Sequence, residues 1–185
     1  MISTEQSSET PTCTAFLGDR RVAAGTYAEV TRLLDALPAS NEGLLVFDDS
    51  TGAVLDRPLP KVPETAPTVG RPRLGVVARE VTLLPRHWEW LAQQRGGASA
   101  ALRRLVDEAR RQHADADAQR QARERAYRCM SALAADLPGF EEASRALFAG
   151  DADAFEQHTA RWPQDVRQHL GRLASGGFDA AQSAT

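Results

Sequence analysis

Apolar positions along the chain follow different rhythms in different stretches, and each rhythm predicts its own kind of element. Between residues 13 and 57 the runs are short. Thr14, Phe16 and Leu17 open an apolar strand, Gly18-Asp19-Arg20 offers a turn, and Val22-Ala23-Ala24 reads as the return strand. Thr26 is placed to N-cap a helix whose residues Tyr27, Val30, Leu33, Leu34 and Leu37 recur at three and four, and Pro38 stops it. Gly43-Leu44-Leu45-Val46-Phe47 is a compact buried strand. Asp48-Asp49-Ser50-Thr51-Gly52 is a turn, with Ala53-Val54-Leu55 as the second arm of a hairpin. The order β-β-α-β-β predicts a small sheet with one helix on a face.

The rhythm breaks at residues 56–73. Pro58, Pro60, Pro63, Pro67 and Pro72 are half of the ten prolines in the chain, and such a stretch favours extended backbone and forbids helix. The domain boundary is expected here, with residues 58–73 as a proline-rich linker. In residues 74–111, Val76, Val77, Val81, Thr82 and Leu83 predict a strand over Leu74 to Leu84. Pro85 suits the first residue of a helix carrying Trp88, Leu91 and Ala92, which Gly96-Gly97 ends. Ser99 reads as the N-cap of a second helix with Leu102, Leu105, Val106 and Ala109 on one face.

Residues 112–175 read as wholly helical. One helix covers about Asp115 to Ala135, with Ala118, Ala122, Ala126, Met130 and Leu133 at three and four. Leu137-Pro138-Gly139 breaks it. Phe140 to Ala149 follows, with Ala143, Leu147 and Phe148 inward. A third helix is capped by Asp151 and carries Phe155 and Trp162. Pro163 opens a fourth, with Val166, Leu170 and Leu173 on one face. Residues 1–12 and 176–185 read as disordered tails. The fold class expected is α+β: a small N-terminal α/β sheet unit over 13–57, the proline-rich linker, the strand-helix-helix segment and a C-terminal helical bundle.

Charge narrows the function classes. The net charge of −3 gives no general attraction to nucleic acid or anionic lipid, so any basic surface must be local. Lys61 is the only lysine and arginine carries the rest of the positive charge. Arg103, Arg110, Arg111, Arg120, Arg123, Arg125 and Arg128 alternate with Asp107, Glu108, Asp115, Asp117 and Glu124, the pattern of a solvated helix face laced with ion pairs. The two cysteines, Cys13 and Cys129, have no metal-ligand spacing and read as free thiols of a reducing cytoplasm. No run of about 18 apolar residues could span a bilayer. His87, His113, His158 and His169 are scattered, and no phosphate loop, GxSxG or HExxH motif occurs. Asp48-Asp49 could hold a cation, although beside a glycine they read first as turn residues. The expectation is a protein that is not an enzyme, with no catalytic or metal-binding residues, no cofactor, no assigned small-molecule ligand and no membrane contact.

The order strand, helix, turn, helix resembles the ribbon-helix-helix plan of small dimeric DNA-binding regulators. The matching stretch runs Val81-Thr82-Leu83-Leu84-Pro85, then Trp88 and Leu91, then Gly97-Ala98-Ser99-Ala100-Ala101-Leu102-Arg103-Arg104-Leu105-Val106. The resemblance implies a strand that pairs with its copy in a second chain and enters the major groove of DNA. It also implies a second helix whose N-terminus meets a phosphate. Carried onto this chain, the DNA-contacting residues are Arg79, Thr82, Ser99, Arg103 and Arg104, and the homodimer interface holds Val81, Leu83, Trp90 and Leu102. Two registers stay open. With Val81 and Leu83 inward, Glu80, Thr82 and Leu84 face out; shifted by one, Arg79, Val81 and Leu83 face out. Trp88 reads as core. Trp90 lies about 200° round the helix from it and is a candidate anchor for another chain.

The run Arg79-Glu80-Val81-Thr82-Leu83-Leu84-Pro85-Arg86-His87-Trp88-Glu89-Trp90-Leu91 and the phrase Trp162-Pro163-Gln164-Asp165-Val166 also resemble a bacterial family, domain of unknown function 2239. The likeness extends to the N-terminal α/β unit and implies a bacterial cytosolic protein, with no chemistry attached. The leading expectation is a dimeric transcriptional regulator that binds double-stranded DNA. The alternative is a non-enzymatic adaptor that uses the proline-rich arm and an exposed Trp90 to bind other proteins.

Overall fold

The computed structural model describes residues 10–36, 42–60 and 77–178. The expected end segments and linker therefore lie mostly outside the described residues. The elements are β1 (Thr12–Leu17), β2 (Arg20–Thr26), α1 (Tyr27–Asp35), β3 (Leu44–Asp48), α2 (Pro85–Ala92), α3 (Gly97–Leu133), α4 (Phe140–Ala149), α5 (Ala152–Thr159) and α6 (Gln164–Ala174). Among the described residues, three antiparallel strands and six helices make this an α+β protein, as the sequence predicts.

The described residues fall into two compact units, one holding 10–60 and 118–178, the other 77–117. In the first unit the strand order is β2-β1-β3. β1 is central and takes partners on both edges, Ala15 facing Ala23 on β2 and Val46 on β3. A central strand covered on both faces needs no polar alternation. Accordingly Cys13, Thr14, Ala15 and Phe16 are all buried. Cys13 and Ala15 pack with Val46 and with Tyr27, Val30 and Leu34 of α1. Phe16 and Phe47 turn the other way, into a core with Ala126, Cys129 and Met130 of α3, Leu147 of α4, Phe155 of α5 and Leu170 of α6. The sheet thus lies between α1 and the C-terminal helices.

Local signals account for most boundaries. Thr26 caps α1 in a reciprocal box with Glu29, and Asp151 caps α5 by accepting from the Ala154 amide at 2.9 Å. Pro163 sits at the start of α6, and Gly139 and Gly150 bracket α4. Trp162 is buried after α5 rather than on it, and its Nε1 donates to the Pro138 carbonyl at 2.8 Å.

Several expectations are corrected. Ala53-Val54-Leu55 is no strand; Val54 makes only an isolated bridge to Phe47. The chain turns back at Gly52 and meets the outer edge of β3 for two backbone bonds, Asp48 amide to Ala53 carbonyl at 2.9 Å and Leu55 amide to Val46 carbonyl at 2.7 Å, too short a contact to count as a strand. The helix expected from Ser99 and the one expected from Asp115 are one helix, α3. No glycine or proline occurs between Ala98 and Leu137, so nothing there breaks it. Ser99 is therefore its third residue, not its cap; Gly96 and Gly97, both at positive φ, make the reversal before it. Phe148 is exposed rather than inward, beside the ring of Tyr127. Pro38 lies outside the described residues.

Candidate functional site

The second unit carries the residues singled out for DNA and partner contact. Val77–Leu84, the described part of the expected strand, belongs to no strand, and Val77–Leu83 makes no backbone hydrogen bond with any described residue. A strand exists only where its backbone meets a partner edge, and none of the described strands pairs with this segment. Arg79, Val81 and Thr82 are exposed and Leu83 half-buried. Leu84 precedes α2 with extended backbone, and its carbonyl accepts from the His87 amide at 2.8 Å.

Pro85 stands at N1 of α2 as expected. Trp88, expected in the core, is 42% exposed, and Trp90 on the far side of the helix is 50% exposed. Leu91 is the only buried residue of α2, and both tryptophans lie off that side of the helix. Trp90 lines a groove of about 410 Å³ with Gln94, Ala101, Arg104, Leu105 and Arg111. Ser99, Arg103 and Arg104 are brought together at the start of α3, all exposed, with Leu102 half-buried. Arg103 Nε donates to the Ser99 carbonyl at 3.2 Å, and an Arg104 terminal nitrogen donates to the Arg95 carbonyl at 2.9 Å. These two arginines fold back over the loop that opens α3. Further along, Arg111 pairs with Glu108 at 2.5 Å, as the mixed-charge pattern predicts.

A second polar arrangement lies in the first unit, and the sequence does not announce it. Asp48 is a turn residue, as expected: its Oδ1 accepts from the Ser50 amide at 2.9 Å and the Thr51 amide at 2.7 Å. Partial burial works against its charge, but hydrogen bonds from Ser50, Tyr27 and Thr51 outweigh this and hold its carboxyl down to about 2. Asp49 accepts from Thr14 Oγ1 at 2.8 Å and from Arg172 at 3.3 Å. The same Arg172 nitrogen lies 3.0 Å from His169 Nδ1. His169 is fully buried and packs against the rings of Phe16 and Phe47, which also meet each other edge to face. Burial first, then the neighbouring Arg172, pushes the imidazole down to about 4. Cys13 and Cys129 are free and buried, and burial with nearby Asp49 pushes their thiols up to about 11 and about 12. The spacing of His169 and Arg172, one helical turn apart, was the only available signal for this cluster. Their partners lie more than 120 residues away.

Among the described residues no helix is long and apolar enough to cross a membrane, and no group of His, Cys, Asp or Glu is arranged to hold a metal ion. A family model, described as an uncharacterized protein conserved in bacteria, matches residues 56–174. The chain belongs to this family, DUF2239. In this DUF2239 protein the match runs from the proline-rich stretch through α2 to α6 and includes the Trp88 and Trp162 motifs. It leaves β1 to β3 outside, so the resemblance read over nearly the whole chain covers less than that. No curated protein and no solved structure matches the chain.

Proposed function

We propose that this DUF2239 protein is a homodimeric DNA-binding regulator in which residues 77–111 supply both the dimer contact and the DNA contact. One observation carries the reading. Val77, Val81, Leu84, Trp88, Trp90, Leu105 and Val106 are exposed, whereas Leu91 and Ala101 are the only buried residues among the described part of that unit. A segment of this size with so small a core cannot hold its own fold, and exposed apolar surface of this density marks a contact face. A second copy answers both needs. Its extended segment can pair with Val77–Leu84, and its helices can cover Trp88, Leu105 and Val106.

Charge supports the DNA part. Residues 77–113 hold seven arginines against four acidic residues, a local excess of positive charge in a chain whose net charge is −3. The amides at Ala98 to Ala100, with Arg103 and Arg104 one turn in, suit a phosphate. The ribbon itself is a poor reader in either register, with Arg79 on one face and Glu80 on the other. Binding is therefore dominated by backbone phosphates, with little sequence preference and a steep salt dependence.

The test is the mobility of duplex DNA across a salt series, with light scattering of the same sample. The expected result is a dimer that shifts duplex at low salt, with the Arg103→Ala, Arg104→Ala double variant bound roughly tenfold more weakly. A monomer that leaves duplex mobility unchanged at low salt removes the proposal. The second reading, an adaptor, is favoured by the half-exposed indole of Trp90 in its groove. Under that reading Trp90→Ala weakens capture of a protein partner and leaves both dimer and DNA mobility alone.

A further inference from the structure

We propose that His169, Arg172, Asp49 and Thr14 form an acid-responsive latch, which ties α6 to the sheet while His169 is neutral and releases it when His169 is protonated. The device is independent of the DNA-binding reading, since it lies wholly in the first unit.

The geometry fixes the protonation state of the closed latch. Arginine can only donate, so the His169 Nδ1 that lies 3.0 Å from Arg172 must accept, and the imidazole proton sits on Nε2. The same Arg172 nitrogen reaches Thr14 Oγ1 at 3.0 Å and Asp49 Oδ1 at 3.3 Å. Thr14 Oγ1 in turn donates to Asp49 at 2.8 Å. One guanidinium nitrogen therefore bridges α6 to β1 and to the turn after β3.

The surroundings decide what protonation does. β1 and β3 present the rings of Phe16 and Phe47, with centroids 5.2 Å and 6.5 Å from the imidazole. The charged groups acting on His169 are Arg172 on its own helix, Asp49 after β3 and Arg21 on β2. α3 contributes Cys129, whose thiol stays neutral. A proton on Nδ1 turns the acceptor into a donor aimed at another donor and sets two cations 3.0 Å apart. His169 is fully buried, while the Arg172 side chain is 51% exposed, so Arg172 is the group that leaves for water. With it go the bonds to Thr14 and Asp49. The bond from the Arg21 amide to Asp165 at 2.9 Å, near the start of α6, does not involve His169 and persists. Arg125 Nε also donates to the Leu173 carbonyl at 2.8 Å without touching His169, so what release frees is the contact of α6 with β1 and the turn after β3.

The sign follows from a folded value held below the ordinary one. The latch contributes fully above about pH 6.5 and loses strength as pH falls toward 4. Burial is the first cause of the low value, so departure of Arg172 alone recovers only part of it; full opening, in which α6 parts from the sheet and His169 reaches water, gains up to about tenfold per unit of pH in that window, about thirtyfold between roughly pH 7.5 and 5.

Amide hydrogen exchange of the full chain tests this, read on α6 and corrected for intrinsic rates. The wild type is expected to open α6 about thirtyfold more often at about pH 5 than at 7.5. His169→Phe, which keeps an aromatic ring against Phe16 and Phe47, is expected to lack that increase. If His169→Phe does not fold, the His169 titration is followed by NMR in the wild type and in Arg172→Gln. The midpoint should be low in the wild type and rise in the variant. Equal acid opening in wild type and His169→Phe overturns the proposal. So does a wild-type midpoint at the ordinary histidine value, or one that Arg172→Gln leaves in place.

Discussion

Gly52 is the position where a single atom would matter most. It lies at φ +69°, and a Cβ built there would stand 1.9 Å from the Arg125 carbonyl oxygen of α3. The turn after β3 therefore meets the α3 backbone directly, and Arg128 adds a bond to the Thr51 carbonyl at 3.1 Å. Gly52→Ala should destabilise the protein by roughly 2–4 kcal/mol, from backbone strain plus overpacking, read as a lower urea midpoint. A loss below about 0.5 kcal/mol would mean that the turn does not touch α3 in solution. The sequence marks Gly52 as a turn glycine; that a helix some 70 residues on presses against it is invisible to local pattern. His169 teaches the same lesson. Its place on the apolar face of α6, beside Leu170 and Leu173, was readable, but its contact with Arg172 and Asp49 was not.

At the scale of elements, α3 is the instructive case. At 37 residues it is about 55 Å long, and residues 103–116 are exposed on every side. Burial does not hold this stretch as a helix. Alanine, arginine and glutamine propensity does, helped by pairs such as Glu108 with Arg111. Ala114→Pro should break it locally at a cost of about 3 kcal/mol. Amides of residues 103–117 would then exchange about a hundredfold faster, while those from Ala122 onward, packed in the core, keep their protection. Loss of protection throughout the first unit would show that α3 is needed as one rod. Capped helices were legible at their starts: α1 from Thr26, α5 from Asp151, α6 from Pro163. The errors fell where no cap or breaker stood, as in the division of α3 at Asp115, or where a strand depends on a partner that local pattern does not show, as with the segment before Pro85.

At the scale of the whole molecule, the proposed dimer would couple stability to association through the exposed apolar residues of the second unit. The thermal midpoint of a dimer that buries Trp88, Leu105 and Val106 should rise with protein concentration, and Trp88→Glu should remove that dependence. A midpoint constant over a hundredfold range of concentration would speak against the dimer. The sequence by itself determined the α+β class, the strands β1 to β3, the capped helices and the DUF2239 likeness, because hydrophobic period, caps and breakers act within a few residues. Only the tertiary structure decided that the sheet shares a core with α3 to α6, that His169 meets Arg172 and Asp49, and that both tryptophans of α2 face outward. Each of those depends on which distant surface covers a given face, and periodicity shows that a face is apolar without showing what meets it.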